Sequence, residues 1–201
     1  MKKILLSTLA LSTLAFTAFS VLDVLPLGAE MPRAEVKMKD ISGKDVSLKD
    51  ARKKNGLLVM FSCNTCPYVI KNQDRTKEIA EFATKNDVGV IIINSNEAYR
   101  NGEDSYEAMQ EYAKQQGYKW YYVVDKNAEM ADAFGANRTP ETFLFNKEGK
   151  LVYHGAIDDS PADASNVNRV HLKEAILEMK DGKDVTVKTS RSVGCTIKRP
   201  K

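Results

Sequence analysis

The stretch FSCNTCPY, residues 61–68, decides the fold, because its two cysteines follow directly on an apolar run, LLVMF, at residues 57–61. A short continuous apolar run is typical of a strand that is buried on both faces. Proline is tolerated in the first turn of a helix, so Pro67 indicates that a helix begins just after Cys66. The pattern therefore predicts a buried strand, a turn that carries Cys63 and Cys66, and then a helix.

A cysteine at the start of a helix is a candidate reactive thiol. The unpaired N–H groups and the partial positive charge at a helix N-terminus favour the thiolate over the thiol. We therefore expect Cys63 to be the ionised sulfur that attacks a disulfide. Cys66, one turn along, would then resolve the mixed disulfide and release the product.

Two other interpretations of the C-x-x-C spacing compete with redox chemistry. A zinc site needs further thiolate or imidazole ligands, and only Cys195, His154 and His171 remain, without a second C-x-x-C or an H-x3-H. A structural disulfide between Cys63 and Cys66 would close so short a loop that it would restrict the unfolded chain very little. Redox chemistry is favoured over both.

The size and composition of the chain are typical of one globular domain. Its 201 residues are 43% hydrophobic and 28% charged, which is enough for a substantial core. The net charge of +3 comes from basic residues interleaved with acidic ones, so nothing indicates nucleic-acid binding. Three cysteines do not make a disulfide-stapled miniprotein.

The first twenty residues have the pattern of an export signal. A basic start is followed by an apolar segment at residues 4–16 and by small side chains around residues 18–20. An uncleaved membrane anchor is the alternative, because the apolar character continues to Leu22. We expect a signal peptide at 1–20, a domain at 21–184 and a tail at 185–201. The mature protein is expected to be periplasmic or secreted, monomeric and free of the membrane.

The hydrophobic pattern predicts strands that alternate with helices. Expected strands are residues 34–38, 45–48, 57–62, 88–93, 120–124, 138–145 and 151–154, and expected helices are residues 64–85, 105–116, 129–134 and 165–180. This order favours an α/β fold with a central mixed sheet, flanked by helices and extended by an N-terminal β-hairpin. Reactive groups at the strand-to-helix turn would lie at the carboxyl end of the sheet.

A strand, a C-x-x-C, a helix and a later Thr-Pro at the start of an edge strand together resemble the thioredoxin fold. Cys63, Cys66, Thr139 and Pro140 carry this resemblance. It implies a cis peptide bond before Pro140, packed beside the C-x-x-C, and a substrate-binding role for Thr139 and Pro140. An ordinary trans proline at an edge strand is the alternative.

A closer resemblance is to the redoxin family, in an exported branch of peroxiredoxin-like (alkyl hydroperoxide reductase/thiol-specific antioxidant) sequences that carry a C-x-x-C. It covers roughly residues 25 to 199. The matching segments are LG at 27–28, ISGK at 41–44, CNTCPY at 63–68, YHGAIDD at 153–159 and GCTIK at 194–198.

The sequence departs from the better-known relatives at three points. Asn64-Thr65 stands between the cysteines where thioredoxin has Gly-Pro, which leaves the direction of electron flow open. The strand before the motif carries no acid, whereas thioredoxin has a buried one there. The P-x-x-x-T/S that precedes the reactive cysteine of peroxiredoxins is missing before both Cys63 and Cys66.

Three functions stay open at this point. The first is an exported thiol-disulfide oxidoreductase that acts on protein or small-molecule disulfides through Cys63 and Cys66, with an unidentified electron donor. The second is a thiol peroxidase in which Cys195 resolves the oxidised sulfur of Cys63 or Cys66. The third is a non-catalytic module that binds a soft metal ion. Neither enzyme needs a cofactor or a resident metal, and Cys195 is either a resolving thiol or a free cysteine.

Overall fold

A computed structural model describes residues 23–200, so the predicted signal peptide at 1–20 lies outside the described part. Nine strands in this part are β1 (Met38–Asp40), β2 (Asp45–Val46), β3 (Gly56–Ser62), β4 (Val88–Asn94), β5 (Tyr121–Val124), β6 (Arg138–Thr139), β7 (Glu141–Phe145), β8 (Leu151–Gly155) and β9 (Cys195–Thr196). Its six α-helices are α1 (Leu48–Ala51), α2 (Pro67–Lys71), α3 (Gln73–Lys85), α4 (Tyr106–Gln116), α5 (Glu129–Phe134) and α6 (His171–Lys180).

Seven of these strands form one mixed sheet, in the order β2-β1-β5-β4-β3-β7-β8. The β3–β4 and β4–β5 pairs are parallel, and the remaining pairs are antiparallel. The expected α/β architecture, a central mixed sheet flanked by helices with an N-terminal hairpin of β1 and β2, is confirmed. Among residues 23–200, no helix is both long enough and apolar enough to cross a membrane.

Strands β3 and β4 are buried along their whole length. Successive side chains of a strand point to opposite faces, so both faces of the sheet must be covered. Val59 and Phe61 of β3 pack in one core cluster with Phe134 of α5, and Leu58 and Met60 pack in another with α3 and α6. Both faces are covered, as the unbroken apolar runs predicted.

The structure differs from the predicted elements in several places. Strand β1 lies at Met38–Asp40 rather than at residues 34–38, and the expected strand at 138–145 is divided at Pro140 into β6 and β7. The expected helix at 64–85 is two helices, α2 and α3, which meet at Asn72. The expected helix at 165–180 begins only at His171, because Asp163 caps a separate 3-10 turn at Ala164–Asn166 through the N–H of Ser165. The tail forms an additional strand, β9, that pairs with β6 outside the main sheet.

Replacing Phe134 with alanine tests the core on the α5 face of the sheet. The Phe134 ring is fully buried and packs edge-on against Phe61 and Phe143 at centroid distances of 5.3 and 5.0 Å. We expect Phe134→Ala to lower the free energy of unfolding by about 3–5 kcal/mol in urea denaturation, because a large ring leaves a cavity. Tyr99→Ala is the control, since Tyr99 is exposed. Equal losses in both variants would contradict this account of the core.

Candidate functional site

The two cysteines of the C-x-x-C lie at the carboxyl end of the sheet, as the sequence predicted. Cys63 directly follows the last residue of β3, and Cys66 is the N-cap of α2. Pro67 occupies the first turn of that helix, where its missing N–H costs no hydrogen bond. Both side chains are buried, with 1% and 3% of their surface exposed.

Thr139 contacts both of these sulfurs. The Thr139–Pro140 peptide bond is cis, as the resemblance implied. The Thr139 hydroxyl oxygen lies 3.5 Å from the Cys63 sulfur, and the Thr139 carbonyl oxygen lies 3.2 Å from the Cys66 sulfur. The Thr-Pro turn is therefore packed against the C-x-x-C.

The tail brings the third cysteine to the same place. Strand β9 pairs antiparallel with β6, so that Cys195 lies opposite Thr139. The sulfur atoms of Cys195 and Cys66 are 2.7 Å apart, and all three cysteines are free thiols. This separation is longer than a covalent S–S bond of about 2.05 Å. The Cys66 sulfur thus has a thiol neighbour on each side, Cys63 and Cys195.

This arrangement favours a negative charge on Cys66. Hydrogen bonds from the Cys63 thiol, and then from the Cys195 thiol and the Val69 N–H, lower the pKa of Cys66 to about 4, although burial opposes the shift. The position of Cys66 at the N-cap of α2 acts in the same direction. When Cys66 is protonated, its thiol can donate a hydrogen bond to the Thr139 carbonyl oxygen.

The neighbouring thiols are held in the neutral form. The hydrogen bond to Cys66 and burial raise the pKa of Cys63, and the negative charge of Asp104 raises it further. Burial and the adjacent Cys66 sulfur raise the pKa of Cys195 to about 11. These shifts run opposite to the expected ionisation of Cys63 and favour the charge one turn further on, at Cys66. The role of Cys63 as the attacking sulfur stays a prediction.

A buried carboxylate behind the motif was missed at the sequence level. Asp104 is fully buried in the loop before α4. Its Oδ1 accepts hydrogen bonds from the Asn64 N–H (2.9 Å) and from Asn94 Nδ2 (2.7 Å), and its Oδ2 accepts one from Asn96 Nδ2 (2.9 Å). It fixes the backbone between the two cysteines. No local sequence pattern indicates this role, because an acidic residue just before a helix is usually interpreted as the helix N-cap.

The Glu141 side chain stabilises the Thr-Pro turn by binding the backbone just before it. One carboxylate oxygen accepts the N–H groups of Asn137 and Arg138 at 2.8 and 2.9 Å, and the other lies 2.7 Å from His154 Nε2. Burial alone would raise the pKa of Glu141, but the hydrogen bonds from His154 and from the two backbone N–H groups prevail and lower it. The turn that carries Thr139 is therefore held by a charged, buried side chain.

Gly194 is a second residue whose role the sequence alone did not reveal. A Cβ at this position would lie 2.0 Å from the Thr139 carbonyl oxygen, which is far inside contact distance. Only glycine allows the tail to lie this close to the Thr-Pro turn.

Among residues 23–200, no group of three or more His, Cys, Asp or Glu side chains is arranged to hold a metal ion.

Comparison with known proteins identifies the family. The Redoxin family model matches residues 26–170. The chain belongs to the redoxin family. A search of curated proteins gives no match.

Two solved structures resemble this redoxin along most of its length. An uncharacterized conserved protein from Geobacillus kaustophilus is 33% identical, with a TM-score of 0.81 over 87% of this chain and 93% of its own. A hypothetical protein from Sinorhizobium meliloti 1021 is 31% identical, with a TM-score of 0.81 over 89% of this chain and 97% of its own. A thiol-disulfide oxidoreductase from Bacteroides fragilis is 18% identical, with a TM-score of 0.54 over 67% and 94%, which reflects the shared thioredoxin fold.

The charge on Cys66 can be tested by titrating the thiolate through its ultraviolet absorbance. The pKa of an ordinary cysteine thiol is about 8.5. Because the pKa of Cys66 is lowered to about 4, the reduced protein is expected to carry one thiolate throughout the range from weakly acidic to neutral pH. Cys66→Ser should abolish this absorbance below neutral pH, whereas Cys195→Ser should only shift its titration upwards. Loss of the signal in Cys63→Ser but not in Cys66→Ser would contradict the assignment.

The role of Asp104 can be tested with Asp104→Asn. The change keeps the shape of the side chain but removes its charge, and we expect the free energy of unfolding to fall by about 1–3 kcal/mol as the charge-assisted hydrogen bonds weaken. In a Cys66→Ser/Cys195→Ser background, where Cys63 is the remaining thiol, the pKa of Cys63 should fall, because the nearby negative charge raises it. An unchanged or higher pKa in that background would contradict the electrostatic role of Asp104.

Proposed function

We propose that this redoxin is an exported thiol-disulfide oxidoreductase that uses Cys63, Cys66 and Cys195. The proposal depends above all on one observation, the 2.7 Å separation between the sulfur of Cys66 in the C-x-x-C and the sulfur of Cys195 in the tail. The family and the thioredoxin fold support a thiol redox function. The export-signal pattern at residues 1–20 supports a location where disulfides form and persist.

The reaction uses Cys66 together with one of its neighbours. A thiolate attacks one sulfur of the substrate disulfide, a mixed disulfide forms, and the other substrate sulfur leaves as a thiolate. A second cysteine of the chain then attacks the mixed disulfide and releases the rest of the substrate. The chain gives up two electrons and the proton of its neutral cysteine, solvent supplies the second proton, the substrate becomes two thiols, and Cys66 ends in a disulfide with Cys63 or Cys195. An unidentified electron donor returns the chain to the dithiol form.

Thr139 and Pro140 have a positioning role in this proposal. The Thr139 hydroxyl and carbonyl groups lie beside the Cys63 and Cys66 sulfurs, so they can donate a hydrogen bond to one sulfur and accept one from the other. The turn is braced by Glu141, which keeps these groups in place as protons move between the thiols.

A thiol peroxidase is the second candidate, and the contact between Cys66 and Cys195 is what favours it. If a hydroperoxide oxidised Cys66 to a sulfenic acid, the Cys195 thiol is close enough to condense with it and form a disulfide and water. The missing P-x-x-x-T/S before either cysteine of the pair argues against the usual peroxiredoxin site.

Three serine variants distinguish these functions. The reduced protein is mixed with a small disulfide such as oxidised glutathione, remaining thiols are alkylated, and the bridges are mapped by mass spectrometry. Because Cys66 is the common partner, Cys66→Ser should slow internal disulfide formation by at least about 100-fold, whereas Cys63→Ser and Cys195→Ser each leave one productive pair. An internal bridge between Cys63 and Cys195 that forms at the wild-type rate in Cys66→Ser would contradict the scheme.

A parallel measurement with hydrogen peroxide addresses the second candidate. Rapid peroxide consumption that is lost in Cys195→Ser, together with slow disulfide reduction, would favour the peroxidase. Disulfide reduction that survives in Cys195→Ser, without peroxide consumption, would favour the oxidoreductase.

A further inference from the structure

The tail after α6 crosses the site and is anchored on the near side of Cys195 by Ser190. The Ser190 N–H donates to the His154 carbonyl at 3.0 Å, and its Oγ accepts a hydrogen bond from the Ala156 N–H at 2.9 Å. The Ser190 hydroxyl also lies 2.6 Å from the Tyr153 hydroxyl. This side of the tail is therefore fixed to the edge strand β8.

The far side of the tail is anchored as well. The Ile197 side chain is 5% exposed and belongs to the core cluster on the α5 face. The Lys198 N–H donates to Asn96 Oδ1 at 2.8 Å, and the same Asn96 side chain donates to the buried Asp104 carboxylate. The segment that carries Cys195 therefore has an anchor on each side.

Between the anchors the tail pairs with the backbone of the Thr-Pro turn. In the part of the chain that the structure describes, β6 pairs with β9 and with no other strand. Gly194 lies so close to the Thr139 carbonyl that a Cβ has no room. Without the tail, the peptide groups of Arg138 and Thr139 would form an open edge next to the Cys63 and Cys66 sulfurs.

An open strand edge binds an extended polypeptide by adding it as a further strand. A peptide that paired with β6 as β9 does would place one side chain where Cys195 now lies. A cysteine at that place would have its sulfur next to the Cys66 sulfur. The tail therefore stands in the position that an extended disulfide-containing substrate would need.

We propose that residues 194–196 are an internal occupant of a polypeptide-binding edge, and that in this closed form the protein acts on low-molecular-weight disulfides. Extended polypeptide substrates react only after the tail has left β6. This inference rests on the proposed exchange function and specifies its substrate class. Cys63 and Cys66 are buried, whereas Cys195 is partly exposed, so a small disulfide meets Cys195 first.

The closed form can carry out the exchange without displacing its tail. Cys195 attacks one sulfur of the small disulfide, and the small thiolate that leaves takes up the Cys195 proton. The Cys66 thiolate then attacks the Cys195 sulfur. The Cys66–Cys195 bond forms, the mixed disulfide breaks, and the second small thiol is released after protonation from solvent. Two electrons pass from two cysteines to the small disulfide.

Gly194→Ala tests whether the tail controls access by size. The added Cβ forces the tail off the Thr139 carbonyl without removing a thiol, and Gly102→Ala is the matched control, since its new Cβ would meet nothing closer than 3.8 Å. Labelling of Cys66 is followed by mass spectrometry with iodoacetamide and with a maleimide on a long polyethylene glycol chain. Gly194→Ala should raise the rate of Cys66 labelling by the large reagent about tenfold or more, and the rate by the small reagent less than about threefold. An unchanged ratio of the two rates would overturn the proposal.

A second variant and a turnover assay complete the test. Ile197→Ala loosens the far anchor without touching β6, and it should raise large-reagent labelling in the same direction if Gly194→Ala does not fold. Both variants should reduce insulin about tenfold faster than the wild type, with little change for oxidised glutathione. Equal gains for both substrates would overturn the size limit. If neither substrate is reduced by any variant, the exchange function fails, while the labelling ratio still decides whether the tail covers the site.

Discussion

The parallel pairing of β3 with β4 is the constraint on which the site depends. The two strands are in register over their full length, from Gly56 opposite Val88 to Ser62 opposite Asn94, and both are buried. Because parallel strands end at the same edge, the turn after β3 meets the polar loop after β4. This is why Asp104, which follows β4 at a distance in sequence, can hold the backbone between the two cysteines.

The parts of the molecule that local sequence determines were predictable. The apolar runs of β3 and β4 are long enough to be recognised without any partner, and α5 has the bounds that its apolar face and Gly135 predicted. The two halves of the site, Cys63 with Cys66 and Thr139 with Pro140, were also recognised, because each is a short motif. Apolar runs and the residues at which helices begin or end are local features of the sequence, so a single sequence is enough to recognise them.

What could not be predicted depends on contacts between distant parts of the chain. The hydrogen bond from Cys63, inside the motif, contributes most to the lowered pKa of Cys66, but Cys195, 129 residues further on, lowers it further, and the charge of Asp104 raises the pKa of Cys63. These last two contributions come from residues far from the motif in sequence. Strand β9 has only two residues and no hydrophobic period of its own. It is a strand only because β6 offers an edge beside the site, and Gly194 allows the approach.

A sulfur with a thiol on each side is also protected against permanent damage. In an oxidising compartment an exposed thiolate that reaches the sulfenic acid can be oxidised again, and the sulfinic and sulfonic acids that follow are not recovered by thiols. At Cys66 the Cys195 sulfur is already 2.7 Å away, so condensation to a reversible disulfide needs almost no movement. The tail thus gives the central cysteine a safeguard against overoxidation that a bare C-x-x-C at an open groove would lack.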